Sequence, residues 1–242
     1  MKKMIVGMMI VAMTALSLSA DIYIKSRTHT DAMQMMGQTT PAKDADSELW
    51  IGDDAMAMIG GANITIVDLG KNMFYMVNTK DKSYVETPLP LDFAKLLPPQ
   101  MASMASMMIM SATVVPTSET KKVGVWNCTG YDMTISVMNM PMKSRVWATT
   151  DVPFDTAKFA EKFMPAMTKG MMRLDDNSVK EMLKIKGYQV ASEMNAEMMG
   201  AKIHSTSEVL EITKKSAPAG TYSVPAGFTK KATLDIAEIQ NR

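Results

Sequence analysis

Ile64-Thr65-Ile66-Val67-Asp68-Leu69, the turn Gly70-Lys71-Asn72, and then Met73-Phe74-Tyr75-Met76-Val77 form two strand-length apolar runs whose reading decides the fold. Both runs are rich in β-branched and aromatic residues and are bounded by turn residues, so they predict paired strands. Both are apolar at odd and even positions alike, so each strand needs cover on both faces. Upstream, Ser47 to Ile51 and Ala55 to Ile59 are further strands split by Gly52-Asp53-Asp54, and Gly60-Gly61 is a hairpin signal. A meander is the simplest topology. Before it, Ile22 to Arg27 alternates apolar and polar residues as a half-buried edge strand does, and the polar stretch Gln38 to Ser47 predicts a loop.

Downstream the period becomes helical. Leu96, Leu97, Met101, Met104 and Met108 recur at spacings of three or four, with Pro98-Pro99 breaking or restarting the helix. Strand signals return at Thr113 to Val115, Lys122 to Trp126, Tyr131 to Val137 and Ser144 to Thr149. Asp155 is placed to cap a helix reaching about Met164, and Asn177 or Ser178 another reaching about Lys186. Tyr188 to Met194 and Lys202 to Ile212 close the strand set, and Pro218-Ala219-Gly220 with Pro225-Ala226-Gly227 bracket a short strand at Tyr222. The expected class is α+β, dominated by one large antiparallel sheet with a few inserted helices.

Lys2 and Lys3, the apolar run Met4 to Leu16 and the small residues Ser17 to Ala20 match a secretory signal peptide over residues 1–20. The run is shorter than the roughly 18 residues a spanning helix needs, so an integral membrane span is not expected. The expectation is a periplasmic protein whose residues 21–242 form a single domain. Its 26 basic and 25 acidic residues nearly cancel, without a basic stripe, which argues against a nucleic-acid partner. Cys128 is the only cysteine, so no intrachain disulfide framework exists and stability rests on the core.

Glu48-Leu49-Trp50-Ile51, Ile64 to Leu69 and Lys82-Ser83-Tyr84-Val85-Glu86, followed by Val125-Trp126-Asn127-Cys128-Thr129-Gly130-Tyr131, Val146-Trp147-Ala148-Thr149, Gly187-Tyr188-Gln189-Val190 and Tyr222 to Phe228, succeed one another along the chain. In that order they resemble an uncharacterised exported branch of the Lol-type (LolA/LolB-like) lipoprotein-carrier superfamily. The resemblance implies a strongly curved half-barrel whose concave face, lidded by helices, holds acyl chains or another apolar ligand, with envelope proteins as possible exchange partners. Lipoprotein carriage itself is not carried over, because the carriers' receptor-contact residues have no clear counterpart here. Trp50, Ile66, Met76, Leu97, Met101, Met104, Met108 and Trp147 are the residues expected on the cavity or its lid.

Methionine leads to a compatible expectation by a separate route. The chain has 29 methionines against 6 % aromatic residues, and an unbranched, polarisable side chain suits surfaces that adapt to apolar partners of variable shape. The densest group, Met101 to Met110, lies in the charge-free stretch between Lys95 and Glu119; a buried core helix and a lid over a cavity both fit it. Thioethers also ligate Cu(I), so Met138, Met140 and Met142 mark an alternative: a methionine-rich copper-binding or oxidant-buffering envelope protein. No cofactor is otherwise implied. Catalysis is not expected: there is no Gly-x-Ser-x-Gly elbow, no His-Glu-x-x-His and no phosphate-cradling loop, and Cys128 with His204 is a weak nucleophile and base pair.

Overall fold

The computed structural model describes residues 20–35, 38–102, 110–137, 140–171, 173–198 and 200–235. Residues 1–19, within the stretch expected to be a signal peptide, and the methionines Met104, Met108 and Met138 lie outside the described residues. The strands are β1 (Ile22–Thr30), β2 (Met33–Met35), β3 (Gln38–Thr40), β4 (Lys43–Ile51), β5 (Ala55–Gly60), β6 (Asn63–Asp68), β7 (Met73–Asn78), β8 (Ser83–Pro88), β9 (Met110–Val123), β10 (Trp126–Val137), β11 (Met140–Thr149), β12 (Tyr188–Met198), β13 (Ala201–Lys214) and β14 (Thr229–Lys230). Twelve of them form one mixed sheet in the order β14-β8-β7-β6-β5-β4-β1-β13-β12-β11-β10-β9, while β2 and β3 pair separately. Short helices complete an α+β arrangement: a 3-10 turn at Phe93–Leu96, α1 (Thr156–Pro165) running on into a π-helical turn at Ala166–Met171, and α2 (Asp176–Met182).

The sheet is two meanders joined on β1. Strands β4 to β8 run outward on one side, the chain crosses to the far edge, and β9 to β13 return until β13 pairs with β1, setting Ile22 against Lys214. Ile22 to Arg27 is therefore central rather than an edge strand; its half-polar alternation reflects one charged and one uncharged face, not a missing neighbour. The polar stretch expected as a loop is strand too, because Lys43 to Ser47 pairs residue by residue with Ser26 to Thr30, and backbone pairing outweighs polar composition. Lys122 to Trp126 contains a turn instead of a strand, with Gly124 at φ +54°. The second helix is capped by Asp175, whose carboxylate accepts the Ser178 amide at 2.7 Å, ahead of the expected Asn177 or Ser178. Tyr222 lies in turns, and the C-terminal strand is β14.

The doubly apolar strands do have cover on both faces. Met56, Val67, Phe74, Met76 and Val85 pack beneath Leu91, Leu96, Leu97 and Phe163 on one face. Ala57, Ile66 and Val77 pack beneath Tyr222, Val224 and Phe228 on the other. Full burial of each large apolar side chain here contributes about 1.5–3 kcal/mol. One C-terminal segment serves both faces. It crosses from Tyr222 and Phe228 on one side, pairs β14 with the β8 edge, and reaches the other side with Leu234, whose amide donates to the Leu96 carbonyl at 2.7 Å.

The opposite edge, β9, is closed differently. The outward amides of Ala112 and Val114 donate to Ser178 Oγ at 2.8 Å and Glu181 Oε2 at 3.0 Å of α2, and Pro116 has no amide hydrogen to offer. Unpaired strand edges invite pairing with other chains, and both edges of this sheet are blunted.

Candidate functional site

Side-chain alternation divides the sheet into two chemically different faces. On β1, Ile22, Ile24, Ser26 and Thr28 point one way, and Tyr23, Lys25, Arg27 and His29 the other. Register carries this division across the sheet. Thr28 aligns with Ser207, Ser192, Val146 and Tyr131; Thr30 aligns with Ser205, Met194, Ser144 and Met133; Ile203, Ala196, Met142, Ile135 and Ala112 follow. From β1 to β10 these rows carry no charged side chain, and charge enters this face at its margins, with Lys43 opposite Thr30 and Lys214 opposite Ile22 among the described residues. The intervening rows on the opposite face hold Arg27 with Asp46 at 2.7 Å, Arg145 with Asp132 at 2.8 Å and with Glu119, and Trp147, which lies under Lys121 and Arg145 at 5.5 and 5.9 Å.

The helices lie on the uncharged face. Asp155 caps α1 by accepting the amides of Ala157 and Lys158, each at 3.0 Å. Lys162 then ties α1 to the β4–β5 turn through the Asp54 carboxylate at 2.7 Å and the Asp53 carbonyl. Phe163 is driven into the core, and Phe159 stacks with Phe154 and Tyr188 at ring distances of 5.9 and 6.1 Å. In the π-helical turn that follows, the buried Thr168 hydroxyl donates to the Met164 carbonyl at 2.7 Å, which satisfies a group freed by the altered helical pitch.

Between these helices and the sheet is a cavity of about 390 Å³. Its helical wall is Phe159, Ala160, Met164, Met167, Thr168 and Met182, with Leu183 and Ile185 beyond α2; its sheet wall is Ser26, Ser47, Leu49, Val190, Ser207 and Val209, and Tyr188 and Gln189 stand at the join. No charged residue among the described residues lines it. The Tyr188 ring forms part of the wall, so it is only partly covered, yet the dense protein around it pushes its pKa up to about 12 and keeps the phenol neutral.

Of the residues expected at the site, the described ones do not line this cavity. Trp50 and Ile66 are on the charged face, Trp50 against Tyr23 at 4.7 Å beneath Lys215, and Ile66 beneath the C-terminal segment. Trp147 is on that same face, beside a polar groove. Met76 and Leu97 are buried in the core on the helix side, with Met101 packed against it, outside the cavity wall. Met140 is exposed and Met142 half-buried, opposite Val137 and Ile135. Among the described residues, no cluster of histidine, cysteine or carboxylate side chains is arranged to hold a metal. Phe159, Met164 and Met167 went unread because methionine density drew attention to Met101 to Met110. Their own signal is the spacing Phe159, Phe163, Met167 and Ala160, Met164 along one helical stripe.

Cys128 is buried, its Sγ donates to the Trp126 carbonyl at 3.6 Å, and burial pushes its thiol pKa up, so it stays protonated. Both His204 ring nitrogens face carboxylates, Asp31 at 2.9 Å and Glu193 at 3.3 Å, and His29 lies between Asp31 at 3.2 Å and Asp44 at 2.7 Å. The two histidines thus belong to a surface chain of alternating imidazoles and carboxylates. No helix among the described residues is long and apolar enough to cross a membrane. No family model matches this chain, and no curated protein matches it either.

Proposed function

We propose that the chain is an exported envelope protein that binds a lipid or similar apolar molecule, and that the sheet curves around that ligand as a half-barrel like the Lol-type carriers. The single observation that carries this is the uncharged cavity between α1, α2 and the sheet. Its volume falls within the roughly 300–1,000 Å³ of small-molecule sites, and its walls are apolar apart from a few neutral polar groups, the usual composition of such sites. The charged rows on the other face keep that face in water, while the cavity lining on the helix side stays compatible with hydrocarbon.

The experiment is a titration with an environment-sensitive apolar fluorophore, comparing the parent with Ala160→Trp. Ala160 is in the cavity wall, and an indole there occupies the space that a ligand needs. The parent is expected to take up one probe per chain, and the variant to lose at least about tenfold in affinity while keeping its melting temperature. Equal binding by both places the probe elsewhere and removes the cavity as the site.

A further inference from the structure

We propose that the cavity selects an uncharged, single-chain amphiphile, such as a fatty alcohol or a monoacylglycerol, and that Ser26, Ser47 and Ser207 hold its hydroxyl or ester oxygen. This rests on the apolar-ligand function proposed above and goes beyond it by naming the ligand class.

The cavity's two walls differ in chemistry. The helical wall is mainly aromatic and thioether, and the hydroxyl of its Thr168 already donates to the Met164 carbonyl. The sheet wall places Ser26 directly across from Ser47 in the β1–β4 ladder, with Ser207 on the adjoining strand β13. Thr28 Oγ1 donates to Ser207 Oγ at 3.2 Å, which leaves the Ser207 hydrogen to point elsewhere. Among the described residues, neither Ser26 nor Ser47 spends its hydroxyl on a protein side chain or carbonyl. A pure hydrocarbon filling the cavity strands these hydroxyls away from water, at a cost for each; a ligand oxygen at the same place restores their hydrogen bonds.

Charge is excluded for the opposite reason. A carboxylate or phosphate drawn in beside these serines meets no lysine, arginine or histidine in the lining, and an unpaired buried anion is far more costly than a buried hydroxyl. Tyr188, the titratable group in the wall, stays a neutral phenol and brings no charge of its own. The volume, near the lower end for small-ligand sites, suits one chain rather than two.

The test compares ligands of equal chain length on the intact protein at pH 7.5: decanol, 1-monodecanoylglycerol and decanoate, each displacing the apolar fluorophore. The two neutral ligands are expected to bind at least about tenfold more tightly than the carboxylate. Replacing Ser26, Ser47 and Ser207 together with alanine is expected to weaken the neutral ligands about tenfold relative to the fluorophore, which binds at least as tightly as before because it no longer strands the hydroxyls. Decanoate binding as tightly as decanol overturns the proposal without any variant, whatever the alanine protein does. So does a folded triple-alanine protein that binds monodecanoylglycerol as the parent does. In both cases retained fluorophore binding leaves the apolar site standing, whereas a parent that binds no fluorophore removes both.

Discussion

At Gly187 the backbone has φ +93°, and a β-carbon there stands 2.2 Å from the Thr149 carbonyl oxygen and 2.8 Å from the Thr150 nitrogen. The obstacle is backbone, which cannot rotate away as a side chain does. Gly187→Ala is therefore expected to destabilise the fold by at least about 3 kcal/mol, read as a lower denaturation midpoint; an unchanged midpoint contradicts this close approach. The histidine chain yields a pH prediction. Hydrogen bonding to Asp44 raises the His29 pKa above 6.5, and hydrogen bonding to Asp31 does the same for His204. Asp31 is lowered below 3.8, chiefly by its hydrogen bond to His204. Groups raised on folding stabilise fully below their unfolded pKa and lose that contribution as pH climbs through the folded value; a lowered carboxylate stabilises above its unfolded pKa and loses the contribution in acid. The chain is thus strongest between about pH 4 and 6.5. Replacing both histidines with glutamine should flatten the fall in melting temperature between pH 6 and 9. Superimposable pH profiles for parent and variant contradict the assignment. The alternation on β1, with Lys25, Arg27 and His29 against Ile24, Ser26 and Thr28, was legible in the sequence; the partners were not, because Asp31, Asp44, Glu193 and His204 meet only through pairing distant in the chain.

Among the elements, α2 is the least obvious piece of the design. It is a seven-residue helix too short to be stable alone, yet its Ser178 and Glu181 accept the amides of β9 that would otherwise face outward. Ser178→Ala with Glu181→Ala should cost about 1–2 kcal/mol for the buried Ser178 bond and reopen a strand edge. The double variant is expected to sediment as larger species with rising concentration under conditions where the parent does not; identical sedimentation shows that the edge needs no such guard. Strands β6 and β7 were legible because burial on both faces leaves an unambiguous apolar run, and Asp155 was legible as a cap because it precedes a helical stripe. Lys43 to Ser47 was not: its side chains are mostly exposed, so composition resembles a loop, and only the β1 backbone opposite makes it a strand. The extra strand length of β9 went unread for the same reason, since Thr117 to Lys121 is polar and largely exposed.

For the molecule as a whole, the organising feature is an uncharged cavity lining on one side of the sheet and rows of ion pairs on the other, with α1, α2 and the π-helical turn seated on the cavity side. Met164, Met167 and Met182 line the cavity, but its position was not legible in the sequence. Single-sequence periodicity places residues on faces within an element, while the cavity is made by Ser26, Ser47 and Val209 meeting Phe159 and Met167 across elements far apart in the chain. Trp50, Ile66 and Trp147 were drawn in as large apolar residues, but Trp50 and Ile66 are buried under the C-terminal segment and Lys215, and Trp147 under surface cations, on the other side. The most direct test of ligand binding is native mass spectrometry of the parent and Ala160→Trp proteins purified from their source without detergent. The parent is expected to carry one adduct of lipid-like mass per chain that dissociates as a neutral molecule, and the variant to lack it. A parent that flies at the bare polypeptide mass, or with copper as its only adduct, contradicts the apolar-ligand function.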